Sequence, residues 1–166
     1  YTFKDAGDYQ VEVNSGKGVW INSGTVTIHY SGDNSDSGNS GINYDDPKST
    51  FYFIDSKVQF CVEVDSRGKA LEPGTTYYID KGSGSYVYCA VENPKPFETD
   101  QLTVYIYKKK GGDYDYLYDT KYYTISPDET DIYFKYSFYD AGDYQFKVYT
   151  KDEVWVNDGY VTIKYD

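Results

Sequence analysis

The chain contains the same segment twice. Shifting the sequence by 135 positions lays residues 1–30 on residues 136–165 without a gap, and seventeen of the thirty pairs are identical. The matches include Tyr1/Tyr136 and Phe3/Phe138, then an unbroken Asp-Ala-Gly-Asp-Tyr-Gln at 5–10 and 140–145. They continue through Val13/Val148, Val19/Val154, Trp20/Trp155, Asn22/Asn157, Gly24/Gly159, Val26-Thr27-Ile28 against Val161-Thr162-Ile163, and Tyr30/Tyr165. Chance does not produce such agreement, and repetition at a fixed offset marks an array of like units. The second copy closes a stretch of ordinary domain length. The first copy stands at the start, so the expectation is the last strands of one unit followed by a whole second unit.

Periodicity supplies the fold class. No segment shows helical spacing, whereas period-two alternation broken by Gly, Pro, Asp and Asn clusters runs nearly throughout, as in an all-β sandwich or barrel. Tyrosine occurs 23 times and aromatic residues make up 20% of the chain. Such residues fit the half-buried, pleated surface of a sheet. Strands are expected at 57–65 (with 51–54 as a candidate before it), 85–92, 102–108, 114–118, 121–125, 132–138, 144–150 and 154–165. The triplet Asn157-Asp158-Gly159, matched by Asn22-Ser23-Gly24, predicts a bulge or tight turn with positive φ in both copies.

Residues 31–50 are almost purely Ser, Gly, Asn and Asp and are expected to be a linker. The spacing from Asp33 to Gly38 lacks the closing Glu of a calcium loop, and no metal or other cofactor is expected. Net charge is −11, which argues against nucleic acid and anionic membranes as partners, because phosphate binding needs clustered Lys and Arg. The one dense basic run, Lys108-Lys109-Lys110 before Gly111-Gly112, is expected at a solvated hairpin tip. No apolar stretch reaches the ~20 residues that a spanning helix needs. No signal-peptide pattern occurs either, so an extracellular chain is expected in its processed form.

Cys61 and Cys89 fall in expected strands. They could form a disulfide in an oxidising compartment or remain two buried thiols. Alternation places Cys89 toward the core with Val87 and Val91. It places Cys61 toward solvent with Gln59 and Glu63, while Phe60, Val62 and Val64 point inward.

Asp-Ala-Gly-Asp-Tyr falls just before the next-to-last strand. There it resembles the Asp-x-Gly/Ala-x-Tyr corner of immunoglobulin-like domains, in which a Tyr hydroxyl bonds back to upstream backbone. The resemblance covers residues 51–166 and, in its last third, 1–30. It implies an immunoglobulin-like antiparallel β-sandwich, one complete domain plus a C-terminal-half fragment of a second copy. It assigns corner roles to Asp140, Gly142 and Tyr144 and to their counterparts Asp5, Gly7 and Tyr9. Phe146 and Val11 stand where antigen-receptor domains carry their second core Cys, so the wider class found in bacterial surface proteins is the better match.

No catalytic set emerges. The single histidine, His29, shares parity with Thr27 and is expected on an exposed strand face. The outward aromatic excess is the feature to account for: Tyr105 and Tyr107 on one strand, a second row of Tyr114, Tyr116 and Tyr118, and Tyr149 and Tyr160 on the last two. Such residues stabilise a sheet through cross-strand pairs or form a contact surface. The expected function is a non-enzymatic structural or adhesive module of an extracellular tandem-repeat protein or filament. Its partners would be other copies or adjacent repeats, with strand complementation between subunits as one route to assembly. The alternative is a carbohydrate-binding module that uses surface Tyr and Trp against cell-surface polysaccharide.

Overall fold

A computed structural model of the chain describes residues 44–166 throughout and the backbone alone of 7–14 and 20–28. The chain divides into two compact units, Tyr1–Ser40 and Gly41–Asp166. The first contains β1 (Gly7–Asn14) and β2 (Trp20–Ile28), paired antiparallel. The second opens with a short 3-10 helix, Thr50–Phe53, and continues through β3 (Lys57–Cys61), β4 (Glu63–Val64), β5 (Ala70–Leu71) and β6 (Thr76–Ile79). It ends with β7 (Ser85–Glu92), β8 (Gln101–Lys110), β9 (Asp113–Thr124), β10 (Asp131–Phe138), β11 (Gly142–Thr150) and β12 (Trp155–Tyr165).

These strands build an all-β sandwich. One sheet has the order β10-β7-β3 and the other β6-β12-β11-β8-β9, with β4 and β5 as a small separate pair. Pairing is antiparallel except where β6 lies parallel to β12. Each sheet buries one face, as alternation requires. β10 is the plainest case: Ile132, Phe134, Tyr136 and Phe138 are buried, and Tyr133, Lys135 and Ser137 are exposed. The core between the sheets is rich in aromatic rings. Phe146 of β11 meets Phe60 of β3 edge-on, with centroids 5.0 Å apart, and Tyr136 of β10 at 5.2 Å.

Several expectations change. Residues 51–54 are not a strand: Ser49 caps a 3-10 turn by accepting from the Phe51 N–H, and Tyr52 and Phe53 pack into the core from it. The strands expected at 114–118 and 121–125 are one strand, β9, that bends through register irregularities instead of ending. The linker is shorter than 31–50. Residues 44–50 belong to the second unit, where the Lys95 ammonium donates to the Tyr44 carbonyl and Tyr44 packs edge-on against Phe51. Residues 29–43, with His29 and the Asp33–Gly38 stretch, lie outside the described residues.

The cysteines are free and buried, not bonded. Cys89 sits opposite Phe60, and Cys61 sits opposite Tyr88. Residues directly opposite share a face, so the two thiols lie on opposite faces of the three-stranded sheet. Cys61 is nevertheless buried, because backbone of Leu71 and Glu63 closes over its thiol. Val62, expected inward, is exposed, since β3 ends at Cys61.

A bulge does occur beside Asn157. The register of β11 against β12 shifts between Val148, opposite Asn157, and Tyr149, opposite Trp155. No positive φ accompanies it at Asn157, Asp158 or Gly159. Glycine at 159 answers a different need: a Cβ there would lie 2.5 Å from Val58 Cγ1 and 2.9 Å from Phe60 Cε2. The strand approaches the opposite sheet too closely for any side chain. Gly159→Ala is therefore expected to destabilise the second unit by about 1–3 kcal/mol through overpacking. A shift of the urea midpoint at unchanged slope would measure it, and an unshifted midpoint would show that the core yields at no cost.

Candidate functional site: the outer aromatic face of the five-stranded sheet

The register of β9, β8, β11 and β12 sorts their outward side chains into a grid. One row runs Tyr122, Thr103, Tyr149, Trp155; the next Thr120, Tyr105, Lys147, Asp158; the third Leu117, Tyr107, Gln145, Tyr160. Directly opposite side chains sit close enough to touch, and each such pair contributes roughly 0.2–1 kcal/mol. Tyr105 meets Tyr149 edge-on at 5.6 Å, and the Lys147 ammonium lies 5.3 Å from the centre of the Tyr107 ring.

Polar groups tie the β12 side of the grid together. The Gln145 amide, buried on the sheet, donates to Asp158 Oδ2 at 2.7 Å and to the Tyr160 hydroxyl at 2.9 Å. Trp155 Nε1 donates to the other carboxylate oxygen of Asp158 at 2.8 Å. Asp158 thus holds Trp155 and Gln145 in place while both rings, Trp155 at 37% and Tyr160 at 50%, remain exposed. Trp155 faces outward. The chemistry of such a face is contact: flat apolar area interleaved with donors and acceptors. Among the described residues no group of three His, Cys, Asp or Glu side chains could hold a metal ion.

The second tyrosine row does not form as expected. Two register shifts in β9, between Lys108 and Lys110 and between Ile106 and Tyr107, each insert an extra β9 residue and turn the following side chains to the other face. Tyr114 joins the outer face, 5.5 Å from Tyr160. Tyr116 and Tyr118 instead turn toward the corner residues, where Tyr118 meets Tyr144 at 5.3 Å. Lys108 goes with them. It lies against the Tyr118 and Tyr144 rings and is not a free hairpin-tip cation.

At that corner the buried Tyr144 hydroxyl donates to the Asp140 carbonyl at 2.8 Å. The Asp140 carboxylate accepts from the Tyr118 hydroxyl at 3.1 Å. Gly142 leaves room for Lys108, whose Cε lies 2.6 Å from where a Cβ would sit. Burial and the neighbouring Tyr118 and Asp140 push the Tyr144 hydroxyl well above the ordinary tyrosine range, so it stays a neutral donor. In the first unit Gly7 and Tyr9 belong to β1, of which the backbone alone is described, and Asp5 lies outside the described residues.

Farther along β9, the Asp119 carboxylate accepts from the Tyr136 hydroxyl at 3.0 Å and pairs with Lys121 at 2.9 Å. Burial works against its charge, but the hydrogen bonds from Lys121, Tyr136 and the Thr120 N–H outweigh burial and hold its pKa below the usual value. A carboxyl depressed in the folded state stabilises fully above its unfolded pKa of about 3.9. That contribution is lost as pH falls through the folded value.

Two outcomes are expected. Tyr144→Phe removes one hydroxyl and should cost about 0.5–1.5 kcal/mol, measured by urea denaturation; equal midpoints would mean that the corner bond adds nothing. Asp119→Asn should flatten the loss of thermal stability between about pH 5 and about pH 2 relative to the parent. Parallel curves for the two proteins would show that Asp119 is not a group whose titration matters.

No family model and no curated protein sequence matches the chain. Among solved structures it is similar to a superoxide reductase (neelaredoxin) from Ignicoccus hospitalis, at 12% sequence identity and a TM-score of 0.40, over 66% of this chain and 80% of that one. It is also similar to a chitin binding domain from Burkholderia pseudomallei, at 14% identity and a TM-score of 0.35, over 55% of this chain and 57% of that one. A GH3 beta-glucosidase of Bifidobacterium adolescentis matches at 15% identity and a TM-score of 0.30, over 64% of this chain and 17% of that one.

Proposed function

We propose that this chain is a non-enzymatic structural or adhesive module of an extracellular tandem-repeat protein or filament, built from immunoglobulin-like sandwiches. One observation carries the reading. The two copies of the repeated segment adopt the same hairpin in the same register. Gly7 pairs with Ile28 as Gly142 pairs with Ile163, and Val13 with Asn22 as Val148 with Asn157. The register shift falls at the same place in both, after Val13 and after Val148. A sequence repeat that preserves pairing down to its bulge supports the reading of a repeat of folded units. The hydrogen bond from Tyr144 to Asp140 supports the immunoglobulin-like reading.

A specific arrangement favours a second reading. Trp155 and Tyr160, held apart by Asp158 and Gln145, offer two exposed rings with polar groups between them. Sugar rings are recognised by stacking on such faces while hydroxyls meet the polar atoms, because aromatic side chains combine apolar area with low entropic cost.

The module reading requires that residues 41–166, produced alone, unfold in one cooperative transition, and that antibodies to them label intact cells of the source. Failure to fold alone, or labelling after permeabilisation only, would overturn it. For the second reading, the full chain should be retained on insoluble polysaccharide such as chitin or cellulose, and Trp155→Ala should abolish retention. A chain that binds neither polymer removes the sugar reading and leaves the module reading intact.

A further inference from the structure

The two larger sheets have four outer edges, formed by β10, β3, β6 and β9. An outer edge presents unpaired N–H and C=O groups, and folded proteins blunt such edges by shortness, bulges, Pro or charge. Three of the four are blunted. β6 is four residues long, β3 is five, and β9 is interrupted by two register shifts. β10 is not. Its eight residues pair with β7 in unbroken register, and its sequence DIYFKYSF contains neither Gly nor Pro.

Nor does a strand of the neighbouring sheet pair with this edge. β9 runs beside β10 across the open side of the sandwich, linked by side chains alone: Tyr123 stacks on Phe134 at 3.9 Å, and Tyr136 donates to Asp119. Recesses of about 200 and 510 Å³ lie along this seam, the first beside Ile132 and Phe134 and the second beside Lys135 and Ser137. Among the described residues no strand pairs with the outer edge of β10.

We propose that β10 is a self-pairing surface through which two copies of this chain join edge to edge, antiparallel, about a two-fold axis at Tyr133. The sequence of the strand selects both the occupant and the register. With Tyr133 opposite Tyr133, Asp131 of each copy falls opposite Lys135 of the other, and Ile132 falls opposite Phe134. Both charge pairs are satisfied at once, the apolar residues meet on the core side, and two aromatic rings meet on the outer side. Directly opposed pairs of these kinds are the favourable ones in a sheet. Centring the pair on Lys135 instead would oppose two ammonium groups. An isologous contact of this sort is self-complementary by symmetry. Its outer face continues the ring cluster of Tyr86, Tyr88 and Tyr133, over which Lys135 already lies, 4.4 Å from the Tyr86 centre. Asp131 already contacts Lys69 at 3.3 Å, so the pair across the axis extends an existing charge network. The chain's net charge of −11 opposes any association, which makes local opposite-charge pairs the deciding element.

Sedimentation equilibrium of the full chain tests this. A monomer–dimer equilibrium is expected, weakened at least about tenfold by Lys135→Glu, which sets Glu opposite Asp131, and equally by Asp131→Lys. The double variant Asp131→Lys/Lys135→Glu should restore dimerisation. Thermal melts of each variant establish that it is folded. If a charge variant fails to fold, Tyr133→Cys decides the matter: mild oxidation should link it to itself through a residue that faces its own copy, whereas Lys135→Cys should stay unlinked. A chain that stays monomeric, a dimer indifferent to the charge reversals, or crosslinking no better at 133 than at 135 would each overturn the proposal. It stands apart from the module reading, since residues 41–166 can fold alone whether or not two copies pair.

Discussion

Phe146 is the side chain on which the two sheets bear. It projects from β11, the middle strand of the five-stranded sheet, and meets Phe60 of β3 and Tyr136 and Phe138 of β10. Both outer strands of the opposing sheet therefore converge on one ring. Edge-to-face contacts of this kind add to the area that aromatic residues bury. They also fix orientation, because an aromatic edge seeks an aromatic face. Gly159, directly opposite Phe146 on β12, is what lets Val58 and Phe60 come so near. The closed core and the outer face meet along β11, where the buried Phe146 and Val148 alternate with Lys147 and Tyr149.

Much of this architecture was legible in the residues, and the rest was hidden for physical reasons. β10 could be read residue by residue, since strict alternation is the imprint of one face in a core and one in water. β6 could not. Its four residues sit among glycines and pair parallel with a strand far along the chain, so no local pattern marks it. The tyrosine rows failed for a sharper reason. Alternation assumes an unbroken strand, and each extra residue in β9 flips everything beyond it. Tyr116 and Tyr118 thus left the outer face that Tyr105, Tyr107, Tyr149 and Tyr160 share. Cys61 was misread because parity sees the sheet alone and not the short β4–β5 pair that covers it. The polar ties of the grid, Asp158 to Trp155 and Gln145 to Tyr160, depend on which residues face one another across strands. That register is not written in either strand by itself.

The two outer faces differ in kind. On the five-stranded sheet, carboxylate, amide and indole groups are matched with one another, so the aromatic side chains are held in place and little is left unsatisfied when water is displaced. On the three-stranded sheet, Tyr86, Tyr88 and Tyr133 gather around Lys135, with ring contacts in place of a hydrogen-bonded lattice. Rings fixed in advance lose less freedom on contact than rings that must be ordered. That favours the first face for binding a partner of set shape and the second for packing against a like surface.

The parallel pairing of β6 with β12 has a mechanical meaning. β6 lies in the first half of the second unit, after β3, β4 and β5, and β12 is its last strand. Because the two strands run parallel, drawing β12 out by its C-terminal end slides it along β6 instead of peeling it away. Thr76 to Ile79 stand abreast of Thr162 to Tyr165, and the Thr162 N–H donates to the Thr75 carbonyl and the Asp166 N–H to the Ile79 carbonyl. Bonds set side by side across such a load share it and must break together, whereas a hairpin peeled from its open end gives way one pair at a time. The same few residues that escape notice in the sequence therefore fasten the last strand of the unit to its first half through bonds loaded in shear.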